Sequence, residues 1–317
     1  MRHPRLKPRG KDTFIHVCNR TLGNTGFFPF GRAEKEEFIR RLRRLCRFYV
    51  IEVLAYQMLG NHFHLVLFIP GEPPSNEEAA ERFRAWYGGN CGIDPNSERC
   101  TKLAERLRDI SDFMHDLQQP FTRWFNRSRP LRRRGPLWAQ RFKSTLLEKG
   151  LSVWRCWQYV EMNPVRAGIV RNPAEYRFGS FGHWAATGRH PFEMVVRKRF
   201  LKWFRSLWRK ADMKEVQREL RHAFARKTAL DSGHPPDQSP VSSAAVGKNE
   251  PFSLRLDRRV RYWADGLVIG SEIFVRSTIA GARSEAAMAR RRLTPVDGAT
   301  GAERELMCFK RLPAILG

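Results

Sequence analysis

The chain has 317 residues, with 58 Lys+Arg against 32 Asp+Glu and a formal net charge of +26. A surplus of that size points to a polyanionic partner, most simply nucleic acid, while 42% hydrophobic and 12% aromatic residues exclude wholesale disorder. No apolar run of about 18 residues occurs, so no membrane-spanning helix is expected, and the six cysteines form no Cys-x-x-Cys pair, so neither a zinc ribbon nor a disulfide framework is expected.

Residues 1–12 read as a basic, flexible arm able to touch phosphates; no apolar stretch follows them, so they are not a secretory signal. Thr13 to Arg20 alternates and is rich in β-formers, which predicts a strand. Ala33 to Phe48 places Phe38, Leu42, Leu45 and Phe48 at helical spacing, with Arg40, Arg41, Arg43, Arg44 and Arg47 over much of the remaining surface. Val50 to Met58 and His62 to Ile69 read as strands joined by Leu59-Gly60-Asn61. Residues 72–101 read as an insertion with loops around Gly88-Gly89-Asn90; its Cys91 and Cys100 have no nearby partners for a metal clip. Asp109 to Arg127 reads as a helix kinked at Pro120, Leu137 to Glu148 as a strand, and Ser152 to Met162 as a helix.

The order strand, helix, strand, strand, helix, strand is the split βαβ, ferredoxin-like arrangement. The expected fold is α+β: an antiparallel sheet with helices on one face and a mainly helical C-terminal extension. Domain boundaries follow from composition: a main domain over 13–190, a helical extension over 191–226, and a polar, Pro- and Ser-rich linker over 227–251. A small basic module over 252–317 comes last, with short helices at Leu256 to Ala264 and Ser271 to Ala280. With few contacts expected across the linker, a chain ending near Arg226 should keep its chemistry.

In a strand, residues i and i+2 share a face, so His62 and His64 present two imidazoles side by side as a metal-ligand pair. Tyr159 lies on a helix with Asn163 at i+4, beside it on the same face. A structural reading stands next to each: hydrogen-bonded histidines, a packed tyrosine, and an Asn163 that caps a helix because Pro164 disfavours helical geometry before it.

Three blocks carry a resemblance: Met58-Leu59-Gly60-Asn61-His62-Phe63-His64-Leu65-Val66-Leu67, Gly135-Pro136-Leu137-Trp138-Ala139-Gln140-Arg141-Phe142-Lys143-Ser144, and Tyr159-Val160-Glu161-Met162-Asn163-Pro164-Val165-Arg166-Ala167-Gly168-Ile169-Val170. From Lys11 to His190 the chain resembles the single-tyrosine HUH transposases, and within them the REP-associated tyrosine transposases. Gly60 departs from the proline usual there, in a turn that tolerates either. The resemblance implies a metal-dependent DNA strand transferase and nickase. It would cleave and rejoin single-stranded or hairpin DNA through a 5′-phosphotyrosine, in the nucleoid-associated cytoplasm, as a monomer or a homodimer. Tyr159 would be the nucleophile, and His62, His64 and Asn163 would hold the metal; an N2O set with open positions suits Mg²⁺ or Mn²⁺.

Arg141, Lys143, Arg155 and Arg166, interleaved with Trp138, Trp154, Trp157 and Trp184, are candidate DNA contacts, since aromatics among cations can stack unpaired bases. The alternative is a DNA-binding protein on the same fold that does not cleave, such as a repressor or a domesticated transposase. An RNA-binding reading lacks its aromatic RNP1 pattern.

Overall fold

The chain is described from a computed structural model, which covers residues 6–7, 10–23, 26–129, 132–207, 212–231, 263, 266–280, 294–295 and 307–310. Strand β1 (Thr13–Arg20) is central, and β3 (His62–Ile69) runs antiparallel beside it along its whole length, from Thr13↔Ile69 to Arg20↔His62. Strand β2 (Glu52–Met58) pairs with the other side of β3, and β4 (Lys143–Leu147) with the other side of β1, both antiparallel. Helix α1 (Arg32–Phe48) connects β1 to β2, and α4 (Ile110–Arg127) lies between β3 and β4. The order β2-β3-β1-β4 at this end of the sheet is that of the ferredoxin-like fold. The protein is α+β.

Strand alternation divides the interior into two layers. Phe63, Leu65 and Leu67 pack with α1 and α4, and the ring of Phe38 lies 4.9 Å from that of Phe63. Val66 and Phe68 face the other way, onto α5 (Leu151–Glu161) with its buried Val153, Trp154, Cys156 and Trp157. Helices therefore cover both faces, not one, because both sets of alternating strand residues are apolar. Helix α5 begins after Gly150, at φ 100°, where an added Cβ would meet Trp203 Nε1 at 2.6 Å. Part of the α1 arginine stripe is engaged within the chain: Arg40 and Arg41 bind Glu37, and Arg44 lies 4.5 Å from the centre of the Trp86 ring.

Three expectations are corrected. The 72–101 insertion is largely helical, with α2 (Asn76–Tyr87) and α3 (Glu98–Leu107) started by Ser75 and Ser97, whose hydroxyls accept from Glu78 N and Cys100 N. The predicted strand over 137–148 shortens to β4, its earlier part joining the sheet through the single bridge Thr21↔Trp138.

The C-terminal stretch, expected to be mainly helical and separate, enters the sheet. Strand β5 (Gly266–Gly270) runs parallel to β4, with Leu146 opposite Val268 and Leu147 opposite Ile269. Beyond it come β7 (Met307–Lys310) and β6 (Thr294–Pro295), and α9 (Glu272–Ala280) packs Val275 and Ile279 into the α1 layer. The expected helix at 256–264 and most of the linker lie outside the described residues. Between β4 and β5 come α6 (Asn163–Arg166), α7 (Ser180–Thr187) and α8 (Met213–Asp231). Among the described residues, no helix is long and apolar enough to cross a membrane.

Glu161, at the end of α5, is a buried carboxylate that ties α5 to α7 and β2. It accepts from Ser180 Oγ, Phe181 N (3.1 Å) and Trp157 Nε1 (3.3 Å), and the Gln57 amide reaches its other oxygen at 3.3 Å. Burial pushes its pKa up to about 7, against hydrogen bonds that pull it down. A carboxyl whose folded pKa is raised stabilises the fold fully below its unfolded pKa, and that contribution fades as pH rises through the folded value. Glu161→Gln keeps an acceptor and carries no charge. The variant should therefore match wild type near pH 4.5 and exceed it at pH 8 by up to about 3 kcal/mol, from 1.36 kcal/mol per pKa unit. Urea unfolding at the two pH values measures the gap, and an equal gap at both would contradict the assignment.

Candidate metal and nucleophile site

The α5-facing side of the sheet carries the polar residues that matter. Across the strands, Gln57, His64, Cys18 and Lys143 are in register, and Arg20 is opposite His62. His16, two residues before Cys18, projects on the same side. Helix α5 lies over this row and brings in Tyr159. The Tyr159 ring stands 5.5 Å from His64 and 5.9 Å from His16, edge-on to both, and His62 is 5.2 Å from His64. Trp263 stacks on Tyr159 at 5.7 Å and an interplanar angle of 23°. Tyr159, His16 and His64 are 2%, 1% and 5% exposed, so the phenol is covered in this state.

Hydrogen bonds assign the imidazole tautomers. The Trp263 carbonyl can only accept, so His16 Nδ1 donates to it (2.9 Å) and His16 Nε2 carries a lone pair. That nitrogen faces His64 Nδ1 at 3.0 Å, which must then be the donor. His64 Nε2 is left as a free lone pair. At His62, Asn61 uses its amide nitrogen on Phe27 O, so its oxygen accepts from His62 Nδ1 (2.7 Å) and His62 Nε2 is also free. Two histidines whose second nitrogens donate to oriented acceptors are the usual arrangement of metal-ligating imidazoles. The residues fit a divalent metal on this ground.

Burial lowers the pKa of His16 to about 4, opposed by the bond to Trp263, and lowers that of His62 to about 4 with help from Arg20. His64 falls well below the ordinary histidine value through burial and the neighbouring His16, His62, Arg166 and Arg20. All three are neutral at pH 7, the form a metal requires. Tyr159 moves the other way: burial and Cys18 raise it above the ordinary phenol value, against Arg166 and Asn163, so the phenol keeps its proton in this closed state.

Asn163 directs its amide nitrogen to the carbonyls of Tyr159 (2.9 Å) and Val160 (3.2 Å), closing the end of α5. These bonds are those of the capping reading of Asn163. Arg166 donates to the Tyr159 carbonyl (3.0 Å), with its guanidinium 4.9 Å from the phenol ring centre. Lys143 lies in the site row next to Cys18; Arg141 is exposed just before it, and Arg155 reaches Gln158 at 3.4 Å. The expected base-stacking tryptophans are corrected: Trp154, Trp157 and Trp184 are 6%, 0% and 3% exposed and belong to the core, and Trp138 packs on Phe30, Phe63 and Phe121.

Sequence reasoning missed His16, Cys18 and Trp263. The first two had a signal, since His16-x-Cys18 in β1 repeats the spacing of His62-x-His64 in β3. Trp263 had none, because its place depends on a pairing more than a hundred residues away.

No known protein-family profile matches the chain, and no curated protein matches it. Among solved structures, the chain is similar to a REP-associated tyrosine transposase bound to a REP hairpin. The TM-score is 0.40 and the identity 17%, over 61% of this chain and 89% of that one. A likeness at this level is too slight to assign the chain to a family.

Proposed function

We propose that this protein is a metal-dependent DNA strand transferase that cleaves and rejoins single-stranded or hairpin DNA through Tyr159. The observation that carries the reading is a tyrosine ring 5.5 Å from His64, on a helix laid over a His-x-His pair whose Nδ1 atoms are engaged in hydrogen bonds, which leaves the Nε2 lone pairs to ligate. His62 and His64 Nε2, with the Asn163 oxygen, would hold Mg²⁺ or Mn²⁺. A metal so held supplies Lewis-acid polarisation of a phosphate oxygen.

Tyr159 Oη would attack phosphorus, form a 5′-phosphotyrosine and release a 3′-hydroxyl. Return attack by a 3′-hydroxyl rejoins DNA without a nucleotide cofactor, since the phosphodiester energy is kept in the covalent bond. Arg166 and Asn163 favour the phenolate, and Trp263 must leave the phenol face for a phosphate to approach. Arg166 beside Tyr159, Lys143 and Arg20 in the strand row, and Arg141 and Arg155 in the flanking segments are cations suited to the DNA backbone.

The test is incubation of the full chain with labelled hairpin and single-stranded DNA plus Mn²⁺, followed by denaturing electrophoresis. A detergent-stable protein–DNA adduct supports the reading. The alternative of a non-cleaving DNA binder is favoured by one observation, the 2% exposure of Tyr159 beneath Trp263; it is the outcome if DNA is bound and no adduct forms.

On the cleavage reading, His62→Ala and His64→Ala should each lower metal-dependent adduct formation by about 10³-fold or more, the several kcal/mol a Lewis acid contributes. The stability costs should differ. His64→Ala strands the lone pair of His16 Nε2 in the interior, costing about 1–3 kcal/mol, whereas His62→Ala takes the donor from Asn61 Oδ1 at a half-buried position, where water can replace it at lower cost. Adduct yields and unfolding midpoints of the two variants check both points.

A further inference from the structure

The face that carries His62 and His64 holds a second set of ligand atoms. A ring nitrogen of His16, a ring nitrogen of His64 and Cys18 Sγ all lie within 4.8 Å of one another, and His16 Nε2 is 3.0 Å from His64 Nδ1. All three residues are buried. The geometry points to a second, thiophilic metal site, His16–Cys18–His64, which takes Zn²⁺ or a metal of similar softness and shares His64 with the His62–His64 pair.

Bond lengths make the fit quantitative. Tetrahedral zinc, with about 2.05 Å to nitrogen and about 2.3 Å to sulfur, needs ligand separations of about 3.3 Å between nitrogens and about 3.6 Å between nitrogen and sulfur. The two histidines are already within about 0.3 Å of that spacing. The sulfur need approach by no more than about 1.2 Å, within reach of a rotation about the Cys18 Cα–Cβ bond. The outer support is present as well: His16 Nδ1 donates to the Trp263 carbonyl, so His16 Nε2 faces the site with its lone pair in place.

Ligand chemistry separates this set from its neighbour. A thiolate selects zinc, cobalt and similar ions over Mg²⁺ and Mn²⁺, whereas the imidazole–carboxamide set including Asn163 does not exclude the harder ions. On binding, the Cys18 thiol loses one proton to solvent, and the neutral His64 moves its proton from Nδ1 to Nε2. His64 Nε2 then has no lone pair for a metal beside His62. The two sites are mutually exclusive through one proton on one imidazole, so zinc capture disables the His62–His64 pair. Capture itself involves no DNA and does not depend on the cleavage reading.

Cobalt titration of the metal-free full chain tests it directly, since a cobalt–thiolate bond gives a charge-transfer band in the near ultraviolet. The band should saturate near one Co²⁺ per chain and be erased by added Zn²⁺. It should be absent in Cys18→Ser, which exchanges only sulfur for oxygen, and persist in His62→Ala and Cys91→Ser. Zinc affinity should fall more than about 100-fold in Cys18→Ser, beyond the loss typical of an outer-shell partner. Cys18→Ala gives the same readout if the serine variant is poorly folded. No thiolate band in the wild-type chain, or a band undiminished in both Cys18 variants, overturns the proposal.

Discussion

Tyr159→Phe should form no detectable covalent adduct with hairpin DNA while still binding it. The phenol oxygen is the only atom removed, and the ring keeps its stack on Trp263 and its edge contacts with His16 and His64. Affinity should stay within about fivefold of wild type, the equivalent of one net hydrogen bond of about 1 kcal/mol. Loss of the oxygen also ends the pull that Arg166 and Asn163 exert toward the phenolate. An adduct formed at the wild-type rate by this variant would remove Tyr159 from the chemistry. A variant that lost binding in proportion would make the residue a packing group only.

A chain ending at Arg226 should be severely destabilised, against the sequence expectation that it would keep its chemistry. The cut removes β5, which hydrogen-bonds along β4, and it removes Trp263 from the Tyr159 face. Trp263, Leu267, Val268, Ile269, Val275 and Ile279 are all buried, and at about 1.5–3 kcal/mol each their gross contribution is roughly 9–18 kcal/mol. That is comparable with the whole stability of a typical domain, although the chain entropy of ordering the removed segment offsets part of it. The midpoint of thermal unfolding should drop by at least about 10 °C, at roughly 2–4 °C per kcal/mol. Thr145 Oγ1, which donates to Gly266 O at 2.8 Å, and His16 Nδ1 both lose their acceptors. An unchanged midpoint and undiminished adduct formation would show that the C-terminal strands are dispensable.

The elements legible in the sequence were those whose physics is local. β1 and β3 were placed to the residue, because alternation, β-branched content and a turn at each end coincide. α1 and α4 followed from apolar residues at helical spacing. Where tertiary context decides, local pattern failed. Gly266-Leu267-Val268-Ile269-Gly270 is a short apolar run that periodicity cannot divide between helix and strand, and its partner β4 is more than a hundred residues away. In the 72–101 insertion, Gly88-Gly89-Asn90 drew attention to loops while the capping serines 75 and 97 marked two helices.

The site divides in the same way. His62, His64, Tyr159 and Asn163 were singled out from spacing and resemblance; the fold brings the rings of His62, His64 and Tyr159 together, and Asn163 is bonded to the Tyr159 carbonyl. His16 and Cys18 escaped notice because their importance arises only when β1 lies beside β3. The cover over the phenol was invisible for the same reason: it is a non-local pairing that delivers Trp263.

The most direct measurement is the chemical identity of the linked residue. Trypsin cuts after Arg155 and Arg166 and releases Cys156 to Arg166, a peptide with a single tyrosine. The adduct formed with hairpin DNA and Mn²⁺ is digested with nuclease and trypsin and read by tandem mass spectrometry. The expected result is this peptide carrying a nucleotide through a phosphate on Tyr159. Nucleotide on any other residue, or an unmodified Cys156–Arg166 peptide in an adduct-enriched sample, would contradict the assignment of Tyr159 as the nucleophile.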